Sequence, residues 1–142
     1  MSTAGYSKRS LQAKLGIKAD FRMIIINPPD HYDEILGPLP ETISLEDRLE
    51  GLFDFIHFFT TESSVLAQTF PTLRDALVPN GMLWISWPKK ASKVPTDLSE
   101  DVIRVVGLDN GLVDVKVAAV NQVWSALKFV YRLRDRPGRL SD

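Results

Sequence analysis

The chain has 142 residues, of which 44% are hydrophobic and 25% are charged, and its formal net charge is -1. This balance is typical of one ordinary globular domain, and it gives no general electrostatic argument for binding nucleic acid or an anionic membrane. The absence of cysteine excludes disulfides, thiolate nucleophiles and cysteine-ligated metals.

The first residues, MSTAGYSKRS, lack the apolar core of a signal peptide. No run in the chain approaches the roughly 20 apolar residues that cross a membrane. We therefore expect a cytoplasmic protein with no membrane partner. A short leading helix is predicted from Ser7 to Leu15, with Leu11 and Leu15 on one face and Gly16 at its end.

A buried strand and a rigid turn follow this helix. The run FRMIII, from Phe21 to Ile26, is apolar and rich in β-branched residues, which predicts a central parallel strand covered on both faces. Residues 27–29, Asn-Pro-Pro, end the strand because proline has no N–H to donate to a sheet. Residues 30–36 are predicted to form one or two helical turns, and Thr42 to Leu45 a short strand.

A further strand is predicted from Phe53 to Phe59, where the run FDFIHFF is apolar. His57 alternates along it with three phenylalanines, Phe53, Phe55 and Phe59. We therefore expect its ring to lie among theirs in the core, as a buried and hydrogen-bonded residue. The other histidine, His31, has no spaced partners for a metal site.

The next helix is predicted to be capped by Thr60 or Thr61 and to be kinked or split at Pro71. Its apolar face follows alternating steps of four and three residues: Leu66, Phe70, Leu73 and Leu77. Val78 to Gly81 is predicted to close this helix as a turn, and Met82 to Trp87 to form the next strand.

The last part of the domain is predicted to be a helix and a hairpin. Residues 96–99 offer caps for the helix, and its predicted buried face is Leu98, Val102, Val105 and Val106. Leu112–Val120 and Trp124–Tyr131 are predicted to pair as an antiparallel hairpin. Arg132–Asp142 is polar and contains four arginines. We expect a disordered tail there, which leaves residues 1–131 as a single α/β domain.

The segment FDFIHFFTTESSVLAQTFPTLRDALVPNGMLWISWPKK, from Phe53 to Lys90, resembles the second half of a class I methyltransferase core. In that core a strand beginning Phe-Asp leads through a helix to a Pro-Asn-Gly turn. The resemblance implies a Rossmann-like open sheet, mostly parallel, with a C-terminal antiparallel hairpin. The full fold has seven strands. We predict about six here, because Leu45 and Phe53 leave no room between them for the usual helix and third strand.

The same resemblance implies a glycine-rich loop after the first strand, where the backbone approaches the methyl donor S-adenosylmethionine. Here no glycine occurs between Gly16 and Gly37, and two prolines remove backbone donors. We therefore expect no cofactor, no catalytic residue and, on balance, no enzyme. A divergent S-adenosylmethionine-dependent methyltransferase is the alternative.

In an open α/β sheet, ligands bind at the carboxyl ends of the strands, where the strand order reverses. Under the methyltransferase order, residues 27–30 and 59–61 would form the walls of that crevice. Asn27, Asp30 and Thr60 are therefore candidate ligand-binding residues.

Two further features lie near this predicted crevice. Glu46 and Asp47 follow Asn27 by about 20 residues, near the spacing at which an acidic residue binds the ribose hydroxyls in dinucleotide folds. Residues 27–29 also resemble the Asn-Pro-Pro-aromatic motif of amino-directed methyltransferases, with Asp30 in the aromatic position and Tyr32 two places later. We favour a rigid turn at the strand end for this motif.

Lys89, Lys90 and Lys93 are the strongest remaining chemical signal. They follow a strand and precede a capped helix, so their ammonium groups and the helix N-terminus could converge on an anion. The alternative is a solvated loop. Nucleic-acid binding through these lysines and the arginine tail is a third hypothesis, which the net charge disfavours.

A wider resemblance covers the chain apart from its tail. It rests on AGYSKRSLQAKLGIK, WISWPKKASKVPTDLSEDVIR and LVDVKVAAVNQVWSALKFV, and it is to a family of small bacterial proteins of unknown function. That resemblance implies a compact α/β domain and no activity. The hypothesis we favour from sequence is a non-catalytic methyltransferase-like domain that binds a small anionic ligand or a protein partner.

Overall fold

A single mixed sheet of six strands carries the fold, with helices on both of its faces. The structure is a computed structural model, and it describes residues 9–136. The strands are β1 (Arg22–Ile26), β2 (Ser44–Glu46), β3 (Phe53–Phe59), β4 (Leu77–Pro88), β5 (Leu112–Ala119) and β6 (Trp124–Tyr131). The helices are α1 (Leu11–Leu15), α2 (Tyr32–Leu36), α3 (Ser63–Asp75) and α4 (Glu100–Asp109), with short 3-10 helices at Lys90–Ser92 and Leu133–Asp135.

The strand order across the sheet is β2-β1-β3-β4-β6-β5. Strands β1 to β4 pair in parallel, whereas β6 is antiparallel to both β4 and β5. The prediction of a mostly parallel six-stranded sheet with a C-terminal antiparallel hairpin is confirmed. The order reverses between β1 and β3, because the chain moves from β1 outward to β2 and then returns to the other side of β1.

The sheet separates two hydrophobic cores. Helices α3 and α4 cover one face, whose core includes Leu66, Phe70, Ile103, Leu127 and Phe129. Helices α1 and α2 cover the other face, whose core includes Leu15, Tyr32, Phe55, Phe59 and Trp84. No helix among residues 9–136 combines the length and the apolar character needed to cross a membrane.

Phe53 does not share a face with Phe55 and Phe59 as predicted. It belongs to the core under α3 and α4, whereas the other two rings belong to the core under α1 and α2. The ladder between β3 and β4 is irregular at this point, because Phe53 pairs with Leu77 but Phe55 pairs with Met82. The regular alternation on which the prediction relied is therefore interrupted between residues 53 and 55.

The predicted turn at Val78–Gly81 is wrong, since these residues lie within β4. Leu77 is already paired with Phe53, so it belongs to the strand and not to the face of the preceding helix. The extra residues of β4 are accommodated by the register shift opposite Phe53 and Phe55. An Asn-Gly pair is therefore part of an irregular strand here, and the chain does not reverse direction at it.

The predicted start and split of α3 are also wrong. The cap position is Glu62, whose side chain makes no capping bond, and the helix runs unbroken through Pro71 to Asp75. The capping oxygens come from Asp97, which accepts hydrogen bonds from the Ser63 backbone N–H at 2.8 Å and from its hydroxyl at 2.7 Å. A residue 34 positions away thus takes the place of the predicted threonine cap.

Helix α4 begins where predicted, since the Ser99 side chain accepts a hydrogen bond from the Val102 N–H. Its predicted buried face is only partly correct. Ile103 and Gly107 are buried, whereas Val102 and Val105 are 38% and 55% exposed. The Phe129 ring lies against Gly107, so the helix packs on the sheet through its smallest residue.

Smaller differences affect the ends of elements. Helix α1 begins at Leu11, because the Ser10 hydroxyl accepts a hydrogen bond from the Ala13 N–H; part of the predicted start lies outside the described residues. Strand β2 begins two residues later and ends one residue later than predicted, with Ser44 paired to Arg22. In the predicted tail, Leu133–Asp135 forms a 3-10 helix and residues 137–142 lie outside the described range. The domain boundary at 131 stays a prediction.

Candidate functional site

The carboxyl ends of β1 to β4 meet at one edge of the sheet, because all four strands are parallel. Two cavities open along this edge, on either side of the end of β3. The β2 cavity has a volume of about 390 Å³ and lies beside the ends of β1 and β2. The β4 cavity has a volume of about 680 Å³ and lies beyond the end of β4. Both occupy the side of an α/β sheet where ligands bind.

The β2 cavity has mainly apolar walls and an acidic rim. Pro28 and Pro29 form one wall, Tyr32 on α2 a second, and Leu45 on β2 a third. Leu45 is 55% exposed because β2 is the last strand of the sheet on this side and nothing among residues 9–136 pairs with its outer edge. Asp47 also lines the cavity.

Three acidic residues line this cavity, Asp33, Glu46 and Asp47, and the two predicted as ribose ligands, Glu46 and Asp47, are not equivalent. Glu46 accepts a hydrogen bond from the Ser44 hydroxyl at 2.8 Å, and its carboxylate lies 3.7 Å from the Arg22 guanidinium. Asp47 is exposed and has no hydrogen-bond or ion-pair partner among the described residues. Of the two predicted ribose ligands, Asp47 therefore has its carboxylate available for a ligand.

Of the predicted crevice walls, Pro28 and Pro29 line the β2 cavity, whereas the candidate ligand-binding residues Asn27, Asp30 and Thr60 line neither cavity. Asn27 is exposed and has a φ of 59°, in the left-handed region that asparagine tolerates better than most residues. Asp30 is exposed. Thr60 is buried: its N–H donates to the Ser86 carbonyl at 3.1 Å and its hydroxyl accepts from the Glu62 N–H at 3.2 Å. Thr60 therefore has a local structural role, whereas ligand binding by Asn27 and Asp30 stays a prediction.

Beneath the β2 cavity lies a buried chain of three polar side chains. The Tyr32 hydroxyl is 2.8 Å from Nδ1 of His57, and the Ser86 hydroxyl is 2.7 Å from Nε2. The His57 ring also stacks on Phe59, with 4.1 Å between ring centroids. Its predicted place in the core is therefore confirmed.

Burial controls the protonation of the histidine and the tyrosine in this group of polar side chains. It lowers the pKa of His57 to about 3 and raises the pKa of Tyr32 well above its usual value. A neutral imidazole can donate through one nitrogen and accept through the other, which satisfies both neighbours. His57 and Ser86 are both fully buried, so no substrate can reach them in this conformation. The hydrogen bonds that link Tyr32, His57 and Ser86 fix α2 to the sheet.

The β4 cavity brings together the three predicted lysines. Lys89, Lys90 and Lys93 all line it, together with apolar groups such as Trp87 and Leu98. Lys89 is half-buried and its ammonium donates to the Asn121 carbonyl at 2.8 Å. Lys90 and Lys93 are exposed and make no ion pair within residues 9–136. Two ammonium groups are thus available to a ligand in this cavity.

The acidic residues in the wall of the β4 cavity are already paired. Both Asp97 carboxylate oxygens accept hydrogen bonds from Ser63, and this pairing lowers the pKa of Asp97. The Glu100 carboxylate binds the Arg104 guanidinium. Ser63 is neutral and leaves Asp97 negatively charged, so the three lysines of the cavity outnumber the one carboxylate that has no ion-pair partner among the described residues. Among the described residues, no three His, Asp or Glu side chains are grouped as metal ligands would be.

No protein-family model and no curated protein matches the sequence. Solved structures match through their fold. A SAM-dependent methyltransferase from Aquifex aeolicus aligns with 14% identity and a TM-score of 0.60, over 84% of this chain and 86% of that one. The N-methyltransferase NodS from Bradyrhizobium japonicum aligns with 16% identity and a TM-score of 0.56, over 84% and 90%.

A third match is magnesium protoporphyrin IX methyltransferase from Synechocystis with bound SAM, at 12% identity and a TM-score of 0.56, over 86% of this chain and 74% of that one. A second structure of the same enzyme has SAH bound, and the part of it that aligns with this chain is 51% of its length. The chain has the fold of class I methyltransferases. At these identities the likeness establishes the fold, and activity has to be argued from the site.

Sequence reasoning missed several residues that shape the site. The β2 cavity depends on Tyr32, Leu36 and Leu39, which come from α2 and the loop after it. Tyr32 had a signal, as the aromatic residue nearest to the Asn-Pro-Pro turn. No sequence signal indicated the pairing of Asp97 with Ser63, since it joins a loop to the start of α3, 34 positions away.

Proposed function

We propose that this chain is a non-catalytic domain with a methyltransferase fold, and that it binds a small anionic ligand in the β4 cavity. The observation that carries the proposal is the balance of charge there. Lys90 and Lys93 have no acidic partner among residues 9–136. The Glu100 carboxylate is ion-paired with Arg104, and the three lysines of the cavity outnumber the one remaining carboxylate, Asp97, which is hydrogen-bonded to Ser63. An anion would supply the missing negative charge and accept hydrogen bonds from the ammonium groups.

The turn after β1 supports the absence of methyl transfer. Pro28 and Pro29 lie after the first strand, where class I methyltransferases have the glycine-rich loop, and neither proline can donate a backbone hydrogen bond. His57 on β3 is buried and neutral, and His31 at the start of α2 is hydrogen-bonded to Glu34 and lines neither cavity, so neither histidine offers a base to a substrate in the cavities. The retained fold and the altered turn together favour a binding role.

Anion binding can be tested by thermal unfolding and calorimetry with inorganic phosphate, pyrophosphate and small dicarboxylates. A ligand present at a hundred times its dissociation constant stabilises a native protein by about 2.7 kcal/mol. We expect one of these anions to raise the unfolding midpoint of the native chain. The double variant Lys90→Gln/Lys93→Gln should lose this response.

A charge-retaining control, Lys90→Arg/Lys93→Arg, should keep the response if charge is what the ligand recognises. Equal stabilisation of the native chain and the glutamine variant would overturn the β4 cavity as the site. Silence with all anions would overturn the small-anion proposal and direct attention to a protein partner, sought by affinity capture.

A divergent S-adenosylmethionine-dependent methyltransferase is the second candidate. It is favoured by the β2 cavity, which lies beside the ends of β1 and β2 and carries the unpaired carboxylate of Asp47. Titration with S-adenosylmethionine tests it. Binding that is lost in Asp47→Asn but kept in Glu46→Gln would support this candidate, because the Glu46 carboxylate is already engaged by Ser44 and Arg22. No binding at any accessible concentration would remove it.

A further inference from the structure

Two lysines lie side by side on the C-terminal hairpin. Lys116 on β5 pairs directly with Lys128 on β6. The next pair along the ladder is Val117 with Leu127, and Leu127 points into the core under α3 and α4. Because side chains alternate along a strand, Lys116 and Lys128 point to the opposite face, which α1 partly covers.

An irregularity in β5 creates this pairing. Asp114 pairs with Phe129, but Lys116 pairs with Lys128, so Val115 is an extra residue in the ladder. Without this bulge, Val115 would lie opposite Lys128. Bulges are used to redirect side chains, and like charges directly opposite each other destabilise a sheet. The bulge therefore places two cations together at an energetic cost.

A third cation approaches from the end of α1. The Trp84 indole N–H donates to the Leu15 carbonyl at 2.9 Å, which brings the end of α1 over β4, and Trp84 pairs with Lys128 on the next strand. Lys18 lies three residues beyond Leu15. Burial and the charges of Lys116 and Lys18 lower the pKa of Lys128.

Nothing within residues 9–136 compensates these charges. None of the three lysines makes an ion pair or a side-chain hydrogen bond in this part of the chain, where the ion pairs all involve arginine or His31. Lys128 is half-buried, which makes the lack of a counter-charge more costly. A multiply charged anion would remove the repulsion and accept hydrogen bonds from the ammonium groups.

We propose that Lys18, Lys116 and Lys128 form a second anion site, which takes a phosphate group carrying two or more negative charges, as in a phosphomonoester or pyrophosphate. The site lies on the face of the hairpin that α1 borders, whereas the β4 cavity lies at the carboxyl edge. It therefore does not depend on the function proposed above.

The test uses the full chain carrying Lys90→Gln/Lys93→Gln, which removes the two exposed ammonium groups of the β4 cavity and leaves only Lys89, which is bonded to the Asn121 carbonyl. Calorimetric titration with pyrophosphate should show binding to this protein. Adding Lys116→Glu should abolish it, and adding Lys116→Gln should weaken it about tenfold, the equivalent of one lost charge-assisted contact. Lys14→Gln, on α1 but outside the cluster, is the matched control and should bind as before.

Thermal unfolding without any phosphate gives an independent readout. Lys116→Glu should raise the unfolding midpoint, because it replaces repulsion by an ion pair with Lys128. Equal pyrophosphate binding with and without Lys116→Glu would overturn the proposal, as would no binding or a lower midpoint for Lys116→Glu. A short oligothymidylate distinguishes the source of the phosphate: binding of the oligonucleotide without binding of pyrophosphate would overturn the small-phosphate assignment.

Discussion

Mild acid is expected to destabilise this protein through a single buried histidine. His57 is fully buried between Tyr32 and Ser86, and its pKa falls from 6.5 to about 3 on folding. Between these two values the unfolded chain binds a proton that the folded chain does not, so the free energy of unfolding falls as the pH is lowered below 6.5. At pH 5, which is 1.5 units below the unfolded value, the loss is about 2 kcal/mol at about 1.36 kcal/mol per unit.

The measurement is urea unfolding at a series of pH values between 7 and 5, at constant ionic strength. The chain has two histidines, which provides a matched pair of variants. His57→Gln cannot take up a proton, so it should lose most of the slope whatever its effect on stability at neutral pH. His31→Gln removes an exposed histidine paired with Glu34 and should keep the slope.

Two results would refute this reasoning. The first is a native protein whose stability is the same at pH 7 and pH 5. The second is a His57→Gln variant with the same pH slope as the native chain, since the slope would then come from carboxylates, which both proteins share.

Two more predictions concern packing and capping. Gly107→Ala should lower the free energy of unfolding by about 1–3 kcal/mol, because the added Cβ would lie 2.0 Å from the Phe129 ring. This steric cost should exceed the gain from alanine's preference for helix. Urea unfolding measures the change, and an unchanged midpoint would contradict the prediction. Asp97→Ala should lower the thermal midpoint, because the backbone N–H and the hydroxyl of Ser63, at the start of α3, both lose the carboxylate oxygen that accepts their hydrogen bond. Glu62→Ala is the control and should have a smaller effect, since that side chain makes no capping bond.

Local patterns were enough to predict most of the strands, and the resemblance of residues 53–90 to the methyltransferase core predicted how the sheet is arranged. The apolar runs of β1 and β3 and the paired runs of β5 and β6 lie where their composition places them, because each is long enough to specify its own structure. The start of the short β2 was predicted two residues too early, because its position depends on pairing with Arg22 and its neighbours on β1. The buried face of α4 was misjudged at Gly107, because periodicity counts apolar side chains and a glycine contributes none.

The candidate site was harder to predict, because it depends on contacts between distant segments. The three lysines at 89, 90 and 93 were found from one loop, and the structure lines one cavity with all of them. The same cavity contains Asp97, whose carboxylate is held at the wall by Ser63, 34 residues away in the sequence. The juxtaposition of Lys116 and Lys128 depends on a bulge, which neither strand signals in its sequence.

The anchoring of α2 supports a preformed β2 cavity and leads to a last prediction. Two residues of the turn before α2, Asn27 and His31, have φ values of 59° and 66°, and the prolines between them fix the backbone further. Tyr32 then ties the helix to His57 from a position that is 3% exposed.

Tyr32→Phe would leave a ring nitrogen of His57 buried without a partner, so we expect a loss of about 1–3 kcal/mol in the free energy of unfolding. Tyr131→Phe removes a similar bond, to the Arg74 carbonyl at 2.9 Å, but at a half-buried site where water can replace the hydroxyl. Its cost should be smaller, about 0.5–1.5 kcal/mol. Equal costs in urea unfolding would mean that water also reaches His57. The wall of the β2 cavity would then be mobile, and the turn after β1 could open towards a ligand as a glycine-rich loop does.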